Sequence, residues 1–368
     1  MCCSEAVDIA RRAIEICNAC RYCDGYCAVF QVMKLRRSFS DADVGYLANL
    51  CHSCRNCYYA CQYAPPHEFA VNVPASFSRV RAETYQHYAW PRSLAFLFRR
   101  NGVFVALTVA AAIALVLISV IALQMPGRNF EPYLGSEAFY AVVPKSIMTF
   151  VAIGALGLSL IVLTVSVGRF WRDIGGRPAD AEISGALWSA IGDVLTLRNL
   201  AGGGHGCNDR SESFSRARRY CHHVMFYGLL LCAAATAVAG FYDHVLHWPS
   251  PYPLSSLPVL LGAAGGSAMI FGAGGFVLIK MRGDPDPQAQ GPGEPDYTIL
   301  ALLLMVAGSG LVLLAFRETA AMSLLLAVHL GAVLSLFAIL PFSRLVHGCY
   351  RAAALLRAAM ELKGRGGQ

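Results

Sequence analysis

The sequence predicts an all-α protein in two parts, a small cysteine-rich domain followed by a bundle of six membrane-spanning helices. Three observations predict it. Two cysteine runs of identical spacing lie within the first 61 residues. Six uncharged apolar runs follow, the last ending at Leu340. Lysine and arginine cluster at one end of those runs if the runs are helices that alternate in direction.

Composition supports the membrane reading. Of the 368 residues, 56% are hydrophobic and 14% charged, whereas soluble domains carry about 25% charged residues. The mean hydropathy is +0.49. A net charge of +7 could suggest nucleic acid, but here the positive residues flank apolar segments, which excludes that class. Eight of the 14 cysteines fall in the two runs. No apolar secretory core precedes them in Met1 to Arg12, so a reducing cytoplasm is the expected setting.

The cysteine domain is expected over residues 1–95. Its runs read Cys17-x-x-Cys20-x-x-Cys23-x-x-x-Cys27 and Cys51-x-x-Cys54-x-x-Cys57-x-x-x-Cys61. This C-x2-C-x2-C-x3-C spacing belongs to proteins that hold two [4Fe–4S] clusters, where the fourth Cys of each run serves the other cluster. Cys17, Cys20, Cys23 and Cys61 are therefore assigned to one cluster, and Cys51, Cys54, Cys57 and Cys27 to the other. Structural zinc, in a membrane-anchored interaction protein, is the alternative. It favours paired cysteines or Cys/His mixtures, which the triple-plus-one runs fit badly. Proline often follows the fourth Cys, but Ala28 and Gln62 stand there. Cys2 and Cys3 are read as incidental and Cys232 as a small apolar residue; Cys207, Cys221 and Cys349 receive no partner. Ser40-Asp41-Ala42-Asp43 before Val44, Leu47 and Leu50 reads as a capped helix, and residues 5–16 have helical periodicity. Without strand alternation, the domain resembles the α-helical ferredoxin module of succinate dehydrogenase-type iron–sulfur subunits.

The membrane domain is expected over 96–345, with a cytoplasmic tail at 346–368. Its runs are Val103–Leu123, Ile147–Val167, Val224–Phe241, Leu257–Ile279, Ile299–Phe316 and Met322–Leu340, each near the ~20 residues that cross a bilayer core. The fourth holds Gly262, Gly265, Gly266, Gly272, Gly274 and Gly275, which favours close helix packing. Its G-x-G patterns follow no strand and are not read as a nucleotide site. Arg92, Arg99 and Arg100; Arg169, Arg172 and Arg177; Arg216, Arg218 and Arg219; Lys280 and Arg282; and Arg344, Arg351 and Arg357 all fall on one side. Arg128, Lys145 and Arg317 fall on the other. Both termini, the loop 169–220 and the loop 281–297 (Asp284-Pro285-Asp286-Pro287, then Gly291-Pro292-Gly293) are thus expected in the cytoplasm. Residues 182–200 read as an amphipathic helix and Gly202–Gly206 as a flexible turn. The cationic face suits an acidic partner.

Histidines sit where haem ligands would. A haem b between helices takes two axial ligands at one depth, usually His. His222 and His223 open the third run and His347 follows the sixth, so His347 with one of the pair makes an inner site. Neighbours on a helix point about 100° apart, so only one ligates; His223 is slightly preferred. If one helix carries both His329 and His347, they lie about 27 Å apart on one face. His329 with His244 then makes an outer site, with His247 as a substitute ligand; one haem or two is left open. His244 and His247 also suit plain interfacial residues beside Trp248. His52, His67 and His87 are read as surface residues, and His205 has no evident partner.

Taken together, the chain resembles tricarballylate utilisation protein B, also called the citrate-utilisation B family. The resemblance rests on the two quartets ahead of six helices, the Gly202–Cys207 stretch, and Arg219-Tyr220-Cys221-His222-His223-Val224-Met225-Phe226-Tyr227-Gly228. The His329/His347 spacing is also similar to the haem-bearing helix of the respiratory nitrate reductase γ subunit. The resemblance implies a bacterial inner-membrane electron-transfer protein rather than the substrate-oxidising catalyst. Its partner would be an FAD-dependent dehydrogenase that oxidises tricarballylate to cis-aconitate, whose flavin this chain reoxidises, with quinone as acceptor. Related modules pair with a flavoprotein of cobalamin synthesis, which is the alternative partner. The chain itself has no dinucleotide fingerprint after a strand, so a partner is needed on either reading.

Overall fold

A computed structural model describes residues 4–98, 101–123, 132–176, 182–288 and 297–366. Cys2, Cys3, Arg99, Arg100, Arg128, Arg177 and Gly291-Pro292-Gly293 lie outside the described residues. Among those described, the fold is helical and contains no strand beyond one isolated bridge, Cys207 to Ser215.

Five helices build the cysteine domain: α1 (Glu5–Cys20), α2 (Ala28–Met33), α3 (Asp41–Leu50), α4 (Asn56–Tyr59) and α5 (Val73–Tyr88). Ser4 caps α1 by accepting from Val7 N at 3.2 Å, and Glu5 and Asp8 suit its positive end. Val7, Ala10, Ala13 and Ile14 form its buried stripe. Arg21, in the left-handed region at φ 58°, ends the helix. The expected cap of α3 is a full capping box, in which Asp43 N donates to Ser40 Oγ and Ser40 N to Asp43 Oδ2. Phe77 and Val80 of α5 close the core against α1 and α3.

Six helices are long and apolar enough to cross a membrane among the described residues. They are α6 (Asn101–Leu123), α8 (Lys145–Asp173), α10 (Ala217–His244), α11 (Leu257–Met281), α12 (Tyr297–Phe316) and α13 (Met322–Ile339). Between them lie a short α7 (Ala138–Val142) and the amphipathic α9 (Glu182–Leu195). The glycines of α11 do what their number suggests. A Cβ on Gly272 would lie 2.5 Å from Met225 N, and one on Gly265 2.8 Å from Gly228 O. Backbone meets backbone along the α10–α11 seam, with Cys221 and Cys232 as further small residues in it. This seam fixes the rotation of α10, and with it the direction of each α10 side chain.

The sixth span does not run on to His347. α13 ends at Ile339, residues 340–342 form a tight turn, and Ser343 is extended at φ −124°, ψ 174°. Pro341 has no N–H to give the carbonyl four residues back. Ser159 Oγ of α8 donates to that carbonyl, Phe337 O, instead. His347 opens a separate helix, α14 (His347–Gly366). The reckoning of His329 and His347 along one helix is therefore wrong, and so is the likeness to a single haem-bearing helix.

The described part of 346–368 packs as helix α14. Tyr350, Ala354, Leu355 and Ala358 of α14 are buried in the same core as α1, α3 and α5. Arg36 clamps it by pairing with both Asp43 at 2.6 Å and Glu361 at 2.8 Å. The cysteine domain meets one end of the bundle: Tyr88 Oη donates to Asp173 at 2.9 Å, and Arg218 Nη1 to Ser53 O at 2.6 Å. The far end is held by the Lys145–Asp243 pair at 2.8 Å and by Arg317 on Tyr252 O.

Candidate functional site

The structure sorts the eight cysteines into two pockets. Cys17 and Cys20 stand on the last turn of α1, and the left-handed Arg21 swings the chain so that Cys23 faces them. With Cys57 and Cys61 they line a cavity of about 230 Å³. Cys27 precedes α2 and Cys51 follows α3. Left-handed Ser53 and Arg55 coil the chain around Cys54. These three, with Cys57, line a second and tighter pocket of about 20 Å³. Cys61 thus stands with the first run and Cys27 with the second, while Cys57 borders both.

The donor set fits a polynuclear iron centre. Burial, then the neighbouring Cys61, Cys23 and Cys20, push the Cys17 thiol up to about 12. Burial, then Cys61 and Cys20, push Cys23 up to about 12 as well. Burial raises Cys54 to about 11 and also pushes Cys27 and Cys57 up. Thiols this crowded ionise together only around a cation. Among the described residues no three His, Cys, Asp or Glu side chains converge as a single ion requires; the thiols line cavity walls instead.

The two pockets differ in access. Cys20 is exposed, and Tyr22, which lines the first cavity, is 68% exposed. The second pocket is covered by residues 198–209. Asn56 Nδ2 donates to Gly202 O at 2.7 Å and Gly206 O at 3.0 Å, and Asn208 N donates to Cys54 O at 2.9 Å. Cys207, within this segment, is buried, with Sγ donating to Leu200 O at 3.3 Å. The glycine stretch is thus a docked lid and not the expected flexible turn. Its glycines are needed: Gly206 has φ +123° and a Cβ there would lie 2.6 Å from Ser215 O. Gly206→Ala is expected to cost about 1–2 kcal/mol from the left-handed backbone alone, with the clash in addition. A lowered melting temperature of the detergent-solubilised protein is the check.

Deeper in, His222 of α10 faces His347 of α14. Their ring centres are 6.3 Å apart and their planes 85° from parallel. Two imidazoles on opposite sides of one metal have ring centres roughly 6 Å apart, since the metal–nitrogen bond is about 2 Å and the centre lies about 1 Å beyond. His347 Nδ1 is held by Arg344 O at 2.7 Å, which is how a ligating imidazole is usually oriented. Burial, then the charge of Arg351, push His347 down to about 3, so its ring is neutral. His222 Nδ1 is buried without a hydrogen-bond partner. The slightly preferred His223 instead stacks on Tyr227, ring centres 6.0 Å apart.

His52 was expected at the surface and is partly buried. Its Nδ1 donates to Leu50 O at 2.9 Å, and burial, then Arg351, hold it well below the ordinary histidine range. It lies beside the second pocket and feels the charges of Arg81 and His222. His205 packs on Phe214, and His67 between Tyr63 and Phe69. His329 Nδ1 contacts Ser309 Oγ at 3.1 Å, while His244 borders a groove with Lys145 and Phe150 at the start of α8. The two rings share no pocket or ring contact, so the outer pair is not brought together among the described residues. Sequence reading passed over Arg81 and counted Arg351 only as a topological charge; their guanidiniums converge on Cys51 O.

Comparison with known proteins adds the family. Residues 10–87 match the citrate utilization protein B Fer4-like domain, and residues 99–368 match citrate utilization protein B. Citrate utilization protein B of Escherichia coli is 44% identical over 366 residues, spanning 97% of this chain and 93% of that protein. No solved structure matches. With two cysteine pockets in a Fer4-like domain seated on six apolar helices, the chain belongs to the citrate utilization protein B family.

Proposed function

We propose that this chain is a membrane-bound electron-transfer protein that reoxidises the reduced flavin of a partner dehydrogenase acting on tricarballylate and delivers the electrons to membrane quinone. Bound [4Fe–4S] clusters and haem b supply the one-electron carriers. The residues of this chain hold, order and shield them. Cys17, Cys20, Cys23 and Cys61 hold the cluster nearer the surface, where Cys20 and Tyr22 face an approaching partner. Cys27, Cys51, Cys54 and Cys57 hold the inner cluster, and the 198–209 lid keeps water from it. His222 and His347 hold the haem. The partner docks on the cytoplasmic side, where both termini lie and positive charge gathers.

One observation carries this reading: the two cysteine pockets share Cys57, and His52, which lines the second, neighbours His222 of the facing pair. The relative's printed name places it in citrate utilization, which supports a tricarboxylate rather than a corrin precursor as the partner's substrate. The test is metal and haem analysis of detergent-purified protein. About eight irons and one haem per chain are expected, with low-temperature iron–sulfur EPR signals. His329→Ala is expected to leave haem content unchanged. Zinc without iron, or no haem absorbance, overturns the reading. Faster reoxidation of a reduced cobalamin-synthesis flavoprotein than of tricarballylate dehydrogenase overturns the choice of partner.

A further inference from the structure

Two cations lie between the second cysteine pocket and the facing histidines. Arg81, from α5, donates through Nη1 to Ala48 O at 3.0 Å and through Nη2 to Ser53 Oγ at 2.8 Å. Arg351 stands one turn after His347 on α14, and donates through Nη2 to Cys51 O at 2.9 Å. Neither has a carboxylate within ion-pair distance among the described residues, in contrast to Arg11, Arg36, Arg218 and Arg357. Carbonyls and a hydroxyl satisfy their N–H groups but leave two positive charges uncompensated beside each other. Two like charges this close repel each other unless an anion offsets them. Four thiolates around an iron–sulfur centre provide net negative charge, and one further electron adds to it.

We propose that Arg81 and Arg351 are the fixed counter-charge of the inner centre: they stabilise its reduced form, raise its reduction potential above that of the outer centre, and so pull electrons inward. Both are positioning residues, since they reach the centre through the backbone that carries Cys51 and Ser53. Both arginines bond to residues that line the second pocket, Cys51 and Ser53, and to none that line the outer cavity. This inference rests on the cluster reading above and adds a direction to it.

The test is an EPR-monitored redox titration of the full-length, detergent-purified chain, with iron measured on each sample. In Arg351→Gln and Arg81→Gln one cluster is expected to shift to more negative potential while the other keeps its value, with iron unchanged. Arg351→Lys and Arg81→Lys, which keep the charge, are expected to restore most of the shift. If the Gln variants lose iron, retention in the Lys variants supports the proposal; loss in the Lys variants too marks a purely structural role and overturns it. Unchanged potentials in both iron-replete Gln variants also overturn it. A wild-type chain without clusters overturns the underlying reading instead, so the two failures are distinct.

Discussion

Replacing Cys61 by alanine is expected to halve the non-haem iron, from about eight irons per chain to about four, and the same loss is expected from Cys17→Ala. The informative variant is the double. If Cys61 serves the centre of Cys17, Cys20 and Cys23, removing both residues damages one centre, and about four irons remain. If each run keeps its own fourth cysteine, the two changes damage both centres and almost no iron remains. The physical basis is the fold of the domain: α1 ends at Cys20 and the chain after α4 returns Cys61 to the same cavity. Iron analysis with EPR of the single and double variants decides it. An iron-free double variant beside half-loaded singles overturns the exchange.

The second large effect separates two adjacent histidines. His222→Ala is expected to abolish haem binding, because it removes one of the two facing rings. His223→Ala is expected to leave haem content within error of the parent, because its ring lies against Tyr227 and away from His347. Non-haem iron is expected to stay constant in both, since neither histidine borders a cysteine pocket. Haem absorbance per iron reads the result directly. Loss of haem from His223→Ala with retention in His222→Ala overturns the assignment.

Why His222 and not His223 shows where sequence reading stops. The sequence puts both residues at the right end of the right helix. Choosing between them needs the rotation of α10, and that is set by glycines on another helix, where Gly272 and Gly265 admit the α10 backbone. Adjacent side chains differ by about 100°, so a modest rotation exchanges their roles. Pro341, by contrast, was a visible signal: a proline directly after an apolar run marks a break. With the break, His347 opens a helix of its own, and the supposed alignment with His329 disappears. His52 was illegible for another reason. Its surroundings come from Arg351, about 300 residues away in sequence, on a helix that reads locally as a polar tail.

By itself the sequence determined the two cysteine quartets, the six apolar spans and the side on which positive charge gathers. Each is a local or additive property: ligand spacing along the chain, length against bilayer thickness, and charge counted between runs. Only the tertiary structure decided which histidine faces His347, that the glycine stretch covers the second pocket, and that two arginines share the space between pocket and histidines. Those depend on helix rotation and on contacts between segments up to 300 residues apart, which packing sets and no local pattern records.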